Sequence, residues 1–114
     1  MIPKKNRFIG SKSIERVYKS ARPVRSEAFN IRVKKSNTED YRLAVVVSKK
    51  VSKLAVVRNR IRRRVFEEVR KNLAGNPNLS GREIIITVFD ESAATEKADK
   101  LSRQLKKLFE KADF

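Results

Sequence analysis

The sequence predicts one α+β domain, a two-layer sandwich with helices packed on a mixed sheet and elements in the order α-β-β-α-β-α. Three observations carry that expectation. Phe29, Ile31 and Val33 alternate with Asn30, Arg32 and Lys34, the period of a half-buried strand. Residues 84–89 (IIITVF) are a continuous apolar run of strand length, suited to a central strand covered on both faces. Two further segments carry apolar residues at helical spacing: Val57, Ile61, Val65, Val69 and Leu73, then Ala94, Ala98, Leu101, Leu105, Leu108 and Ala112. Helices with one apolar stripe and strands with apolar faces bury them by stacking in layers.

The elements follow in order. Residues 1–10 are basic and are expected to be irregular. Ser11 is expected to cap a short helix in which Ile14, Val17 and Tyr18 share a face, ending near Ser20 and closed off before Pro23. A short extra strand is expected near Val24. The first long strand spans 27–35, a turn follows at 36–40, and the second long strand spans 41–48. Five connecting residues suit an antiparallel hairpin between the two. The central helix is expected to start with Ser52 as N-cap and run to about Leu73, with Gly75 as its stop. Phe66 flanks its apolar stripe, and Glu67 and Glu68 stand four residues after Arg63 and Arg64, the spacing of ion pairs. Residues 74–81 read as a loop, and 90–92 as a turn into the last helix.

Composition removes several function classes. The 114 residues suffice for one modest core, so residues 1–114 are expected to form a single domain. With neither cysteine nor histidine, the chain has no disulfide, thiolate metal site or imidazole base. No run approaches a membrane-spanning length and the N-terminus lacks a signal-peptide apolar core, so a soluble, cytoplasmic protein is expected. The net charge of +16 opposes folding by self-repulsion, and its commonest use is a polyanionic partner: nucleic acid first, an anionic membrane surface second.

That charge concentrates between Ser48 and Phe66, where eight cations (Lys49, Lys50, Lys53, Arg58, Arg60, Arg62, Arg63 and Arg64) meet no acid. A strand ending at Val47 delivers directly into a cationic helix rich in arginine, whose planar fork donates two hydrogen bonds to one phosphate. On a helical wheel Arg58 and Arg62 sit beside the apolar stripe, with Asn59 and Arg63 in the next row and Arg60 and Arg64 beyond. On the exposed strand face, Asn30 and Arg32 point away from Phe29, and Tyr18 lies near the basic start. An aromatic beside arginines holds an unpaired base by stacking.

The run SKKVSKLAVVRNRIRRRVFEE resembles the signature of the bacterial ribonuclease P protein subunit, in which a strand ends in Ser-Lys-Lys before Ala-Val-x-Arg-Asn-Arg. Arg7-Phe8, Ile14-x-x-Val17-Tyr18, Phe29-x-Ile31, Arg42 and the leucines of the last helix follow the same family in the same order. The resemblance implies a ribosomal-protein-S5-domain-2-like fold with a left-handed βαβ crossover. It also implies a ribonucleoprotein role, in which a catalytic RNA with Mg²⁺ cleaves the 5′ leader from precursor tRNA. On that pattern Lys49, Lys50, Lys53, Arg58, Asn59, Arg60, Arg62, Arg63 and Arg64 would bind the catalytic RNA. Arg7, Ile14, Tyr18, Phe29, Asn30 and Arg32 would line a cleft for the leader of the precursor tRNA. The implied cofactor is Mg²⁺ held mainly by the RNA, with no catalytic residue or metal ligand in the protein. Neither DNA nor membrane is an expected partner. The chain departs from the pattern at Ile14, where phenylalanine is usual, at Ser52-Lys53-Leu54, which lacks the usual glycine, and at Phe66, Val88 and Asp90.

Two other readings have their own signatures. A structural RNA-binding protein, such as a ribosomal protein, shares the composition and layout. A self-sufficient nuclease would need convergent carboxylates for two metals, and Asp90-Glu91 is the only suggestive pair.

Overall fold

The computed structural model describes residues 19, 22–26, 28–35, 41–72 and 81–112. Strand β1 spans Val24–Ser26, β2 Phe29–Lys35 and β3 Arg42–Val47. Helix α1 spans Ala55–Asn72, β4 Arg82–Val88, a 3-10 turn Glu91–Ala94, and helix α2 Ala98–Ala112. The expected first helix with Ser11, Ile14, Val17 and Tyr18 lies outside the described residues. So do Arg7, the turn at 36–40, and Leu73 and Gly75.

The four strands form one mixed sheet in the order β1-β2-β4-β3. β4 runs antiparallel to β2 and parallel to β3. The expected β2–β3 hairpin is therefore wrong: the two strands never pair, because β4 inserts between them. Burial explains the outcome. Ile84, Ile85 and Ile86 are all 0% exposed, so both faces of β4 are covered, and the middle of the sheet is where a strand is covered on both faces. The short connection between β2 and β3 permits a hairpin but does not outweigh that burial. β3, α1 and β4 thus form a parallel βαβ unit. Gly81 enters β4 at φ 69°, in the left-handed region that a side chain would disfavour.

Register sorts the side chains into two faces. Phe29, Ile31, Leu43, Val45, Val47, Ile84, Ile86 and Val88 form the inner face, under α1 and α2. Ile61, Val65 and Val69 of α1 are fully buried there, with Val57 and Phe66 half-buried at the margins. Leu101, Leu105, Leu108 and Phe109 of α2 complete the core. Each such side chain contributes about 1.5–3 kcal/mol by leaving water. α1 packs on β3, and α2 on β1 and β2.

The last helix starts later than its apolar spacing suggests. Asp90 accepts the Ser92 N–H at 2.9 Å and starts the 3-10 turn instead. Ala94 is buried in that turn, and Ala98 opens α2 as an exposed residue.

Candidate nucleic-acid interface

The cationic stretch is built by a tight turn at the end of β3. The Ser48 carbonyl accepts the Val51 N–H at 3.1 Å and the Ser52 N–H at 3.5 Å, so Lys49 and Lys50 stand exposed at its tip. Ser52 does not cap α1 as expected. Its hydroxyl accepts the Leu54 N–H at 3.3 Å, and the Leu54 carbonyl accepts the first helical bonds, from Val57 and Arg58, both at 3.1 Å. Leu54 is therefore the cap residue, and it has no side-chain acceptor for the helix N–H groups. The Arg58 guanidinium reaches back to the Ser52 carbonyl at 2.9 Å and locks the turn against the helix.

The first turn of α1 carries no acid to balance the positive end of its dipole. Arg62 donates to the Asn59 Oδ1, one turn earlier, which fixes the direction of its guanidinium. Asn59, Arg60, Arg63 and Lys53 are exposed, while Arg58 and Arg62 sit half-buried at the rim of the core, where the helical wheel puts them. Among the described residues, none of Lys49, Lys50, Lys53, Arg58, Arg60, Arg62 and Arg63 has a carboxylate partner. Seven cations on one anchored segment, with backbone N–H groups at the same end, form a positive field of the kind that suits phosphate.

Arg64 does not belong to that surface. Its guanidinium donates to the Ala93 carbonyl at 2.8 Å and also to the Glu96 carbonyl, tying α1 to the turn that leads into α2. The carbonyls ending a 3-10 turn need donors, and Arg64 supplies two at once. Replacing Arg64 with alanine should lower stability by about 1–3 kcal/mol in denaturant unfolding. The salt dependence of RNA binding should stay unchanged; a lowered slope would return Arg64 to the phosphate-facing set.

The cationic field ends one turn later. Arg60, Arg63, Arg64, Glu67, Glu68 and Ala98 line an open groove between α1 and the start of α2. Glu67 pairs with Arg70 at 2.9 Å, three residues on, and not with Arg63 as the four-residue spacing suggests. The hydrogen bond from Arg70 is the largest cause that lowers the Glu67 carboxyl below the usual carboxylate range.

The outer sheet face is a second surface. β2 presents Asn30, Arg32 and Lys34 there, in register with Thr87, Ile85 and Glu83 of β4. Glu83, 2% exposed, lies between Lys34 on one side and Arg42 on the other. The Asn30 Oδ1 is shielded from solvent with no hydrogen-bond partner, a state that costs about 1–3 kcal/mol. Phe29 was expected in the leader cleft, but it is 0% exposed and on the inner face, where strand alternation puts it opposite Asn30 and Arg32. α1 covers the inner face, so its cations and the Asn30–Arg32 row emerge on different sides of the sheet.

Four residues of this outer face were not among the site residues expected from the sequence: Arg25, Lys34, Arg42 and Phe89. The alternation of β2 already places Lys34 with Asn30 and Arg32. Arg25 depends on the pairing of β1 with β2, which no local pattern discloses. Phe89 follows buried Val88, so alternation turns it outward, although its apolar run suggests burial.

Known proteins match this chain along nearly its whole length. The family model for Ribonuclease P matches residues 2–113. A ribonuclease P protein component from Rippkaea orientalis is 33% identical over 117 residues, covering 97% of this chain and 89% of that protein. Another from Desulfosudis oleivorans is 34% identical over 109 residues, covering 96% and 87%. The RNase P protein of Staphylococcus aureus superposes with a TM-score of 0.78 at 22% identity, over 95% of both chains. That of Thermotoga maritima gives 0.74 at 22% identity, over 85% of this chain and 88% of its own. The two solved structures support the mixed α+β fold, while the family model and the relatives settle descent: the chain belongs to the ribonuclease P protein family.

Proposed function

We propose that the chain is the protein subunit of a ribonuclease P ribonucleoprotein and promotes endonucleolytic removal of the 5′ leader from precursor tRNA. The observation that carries this reading is the set of seven cations on the turn and first half of α1, which have no acidic partner among the described residues. These grip the catalytic RNA through its phosphates, while Ile61, Val65 and Val69 hold the helix on the core. The outer sheet face, with Asn30, Arg32, Lys34 and Arg42, takes the single-stranded leader. The complex acts in the cytoplasm; no helix among the described residues is long and apolar enough to cross a membrane.

In this reading Mg²⁺ would be held by the RNA subunit, and would supply the Lewis acidity for attack by water and for departure of the leaving oxygen. The described carboxylates do not fit a metal site of their own. Asp90 caps Ser92, Glu67 faces Arg70, Glu96 faces Lys100, and no acidic trio converges among the described residues. The protein therefore binds, orients and neutralises.

Reconstitution tests the proposal. Added to a bacterial ribonuclease P RNA at low Mg²⁺, where the repulsion between two RNAs is least screened, the chain should accelerate leader removal. Failure both to bind that RNA and to improve cleavage sinks the reading. Co-sedimentation with ribosomes, without any effect on precursor tRNA, would favour the structural RNA-binding alternative.

A further inference from the structure

We propose that Arg25 and Phe89 form a stacking subsite for one unpaired nucleobase of single-stranded RNA, at the end of the outer sheet face where β4 runs out. The inference rests on the reading of that face as a leader groove, and adds to it a site of stated chemistry.

The placement follows from pairing. Arg25 lies opposite Asn30 on β1, and so belongs to the outer face with Asn30 and Thr87. Phe89 follows Val88, which is 1% exposed on the inner face, and its N–H donates to the Ala28 carbonyl at 2.7 Å, extending the β2–β4 ladder by one residue. The Phe89 ring therefore turns to the same side as Arg25, and the Arg25 guanidinium carbon stands 4.5 Å from its centroid. Arg25 is exposed and has no carboxylate partner among the described residues.

The Phe89 ring stands 43% exposed in a chain that buries its other described phenylalanines wholly or in large part. The backbone bond and the guanidinium cover fix the ring in place, so little entropy is lost when a flat partner lands on it. A guanidinium plane and a phenyl ring both stack on nucleobases, and the arginine charge also attracts the adjoining phosphate. A protein partner would need apolar surface around the ring. Among the described residues its neighbours across the strands are Arg25, Asn30 and Thr87, a polar and cationic setting that favours RNA. Stacking accepts any base, so the subsite holds a position along the strand more than it selects a sequence.

The chain has no tryptophan, so Phe89→Trp installs a single indole reporter. Titrated with short unstructured oligoadenosine, its emission should be quenched, while an abasic strand of equal length and charge should leave it unchanged. Phe89→Leu, which keeps apolar bulk without an aromatic face, should weaken oligoadenosine binding about tenfold. Its thermal unfolding and its salt slope should match the parent. If the parent binds oligoadenosine but Phe89→Leu binds as tightly, or the abasic strand quenches equally, the subsite is wrong and the groove reading stands. If the parent binds no single-stranded RNA at all, the groove reading falls and the subsite with it.

Discussion

Affinity for ribonuclease P RNA is expected to fall about a thousandfold between 50 and 200 mM salt. The figure follows from counting the cations of this stretch that have no carboxylate partner among the described residues and are not tied to the turn before α2. Arg64 is committed to the Ala93 and Glu96 carbonyls, which leaves Lys49, Lys50, Lys53, Arg58, Arg60, Arg62 and Arg63 to meet phosphates. Neutralising roughly seven phosphates releases their condensed counterions and gives a slope of log K against log salt of roughly −5. The double variant Arg60→Ala with Arg63→Ala should flatten that slope by about 1–2. Both side chains are exposed and have no carboxylate partner among the described residues, so this variant should unfold like the parent. A parent slope near −1 would mean that the helix cations are merely solvated.

Ile61→Ala should act in the opposite sense, lowering stability by about 2–5 kcal/mol in urea unfolding. Ile61 is 0% exposed between α1 and the sheet, one residue from Arg60 and Arg62. Its truncation leaves a cavity that the strands beneath cannot fill. A domain this small holds only about 5–15 kcal/mol in total, and a charge of +16 draws on that margin, so the loss should show as partial unfolding near physiological temperature. RNA should rescue the fold, because ligand that binds only the folded chain pulls the equilibrium back. If Ile61→Ala unfolds at the parent's midpoint, α1 is not anchored as described. The two experiments together separate the faces of one helix: the cations set binding, and the stripe between them sets stability.

Local periodicity disclosed the elements and their inner faces. Ile61, Val65 and Val69 are buried where the helical wheel puts them, and β4 occupies the central place that its unbroken apolar run demands. Partnership was not legible, because it is decided by non-local burial. The short connection from β2 to β3 suggested a hairpin, yet only β4 can satisfy a slot covered on both faces. The same limit applied to hydrogen bonds. Ser52 carries a good capping side chain, but the turn set by Ser48 places its hydroxyl at Leu54 instead. Arg64 looks like its neighbours in sequence, and only the return of the chain at residues 93–96 withdraws it from the surface. Phe29, by contrast, could have been excluded at once: it shares a strand face with Ile31, opposite Asn30.

Two surfaces, on different sides of one sheet, are expected to hold two different RNAs. The chain has no cysteine, so single cysteines can carry a tethered hydroxyl-radical source without background. Lys53→Cys, beside the start of α1, should cut the ribonuclease P RNA within the assembled complex and spare the leader. Lys34→Cys, on the outer sheet face, should cut the precursor tRNA leader and spare the catalytic RNA. Cleavage of the same RNA from both positions, or the reversed pattern, would contradict the account.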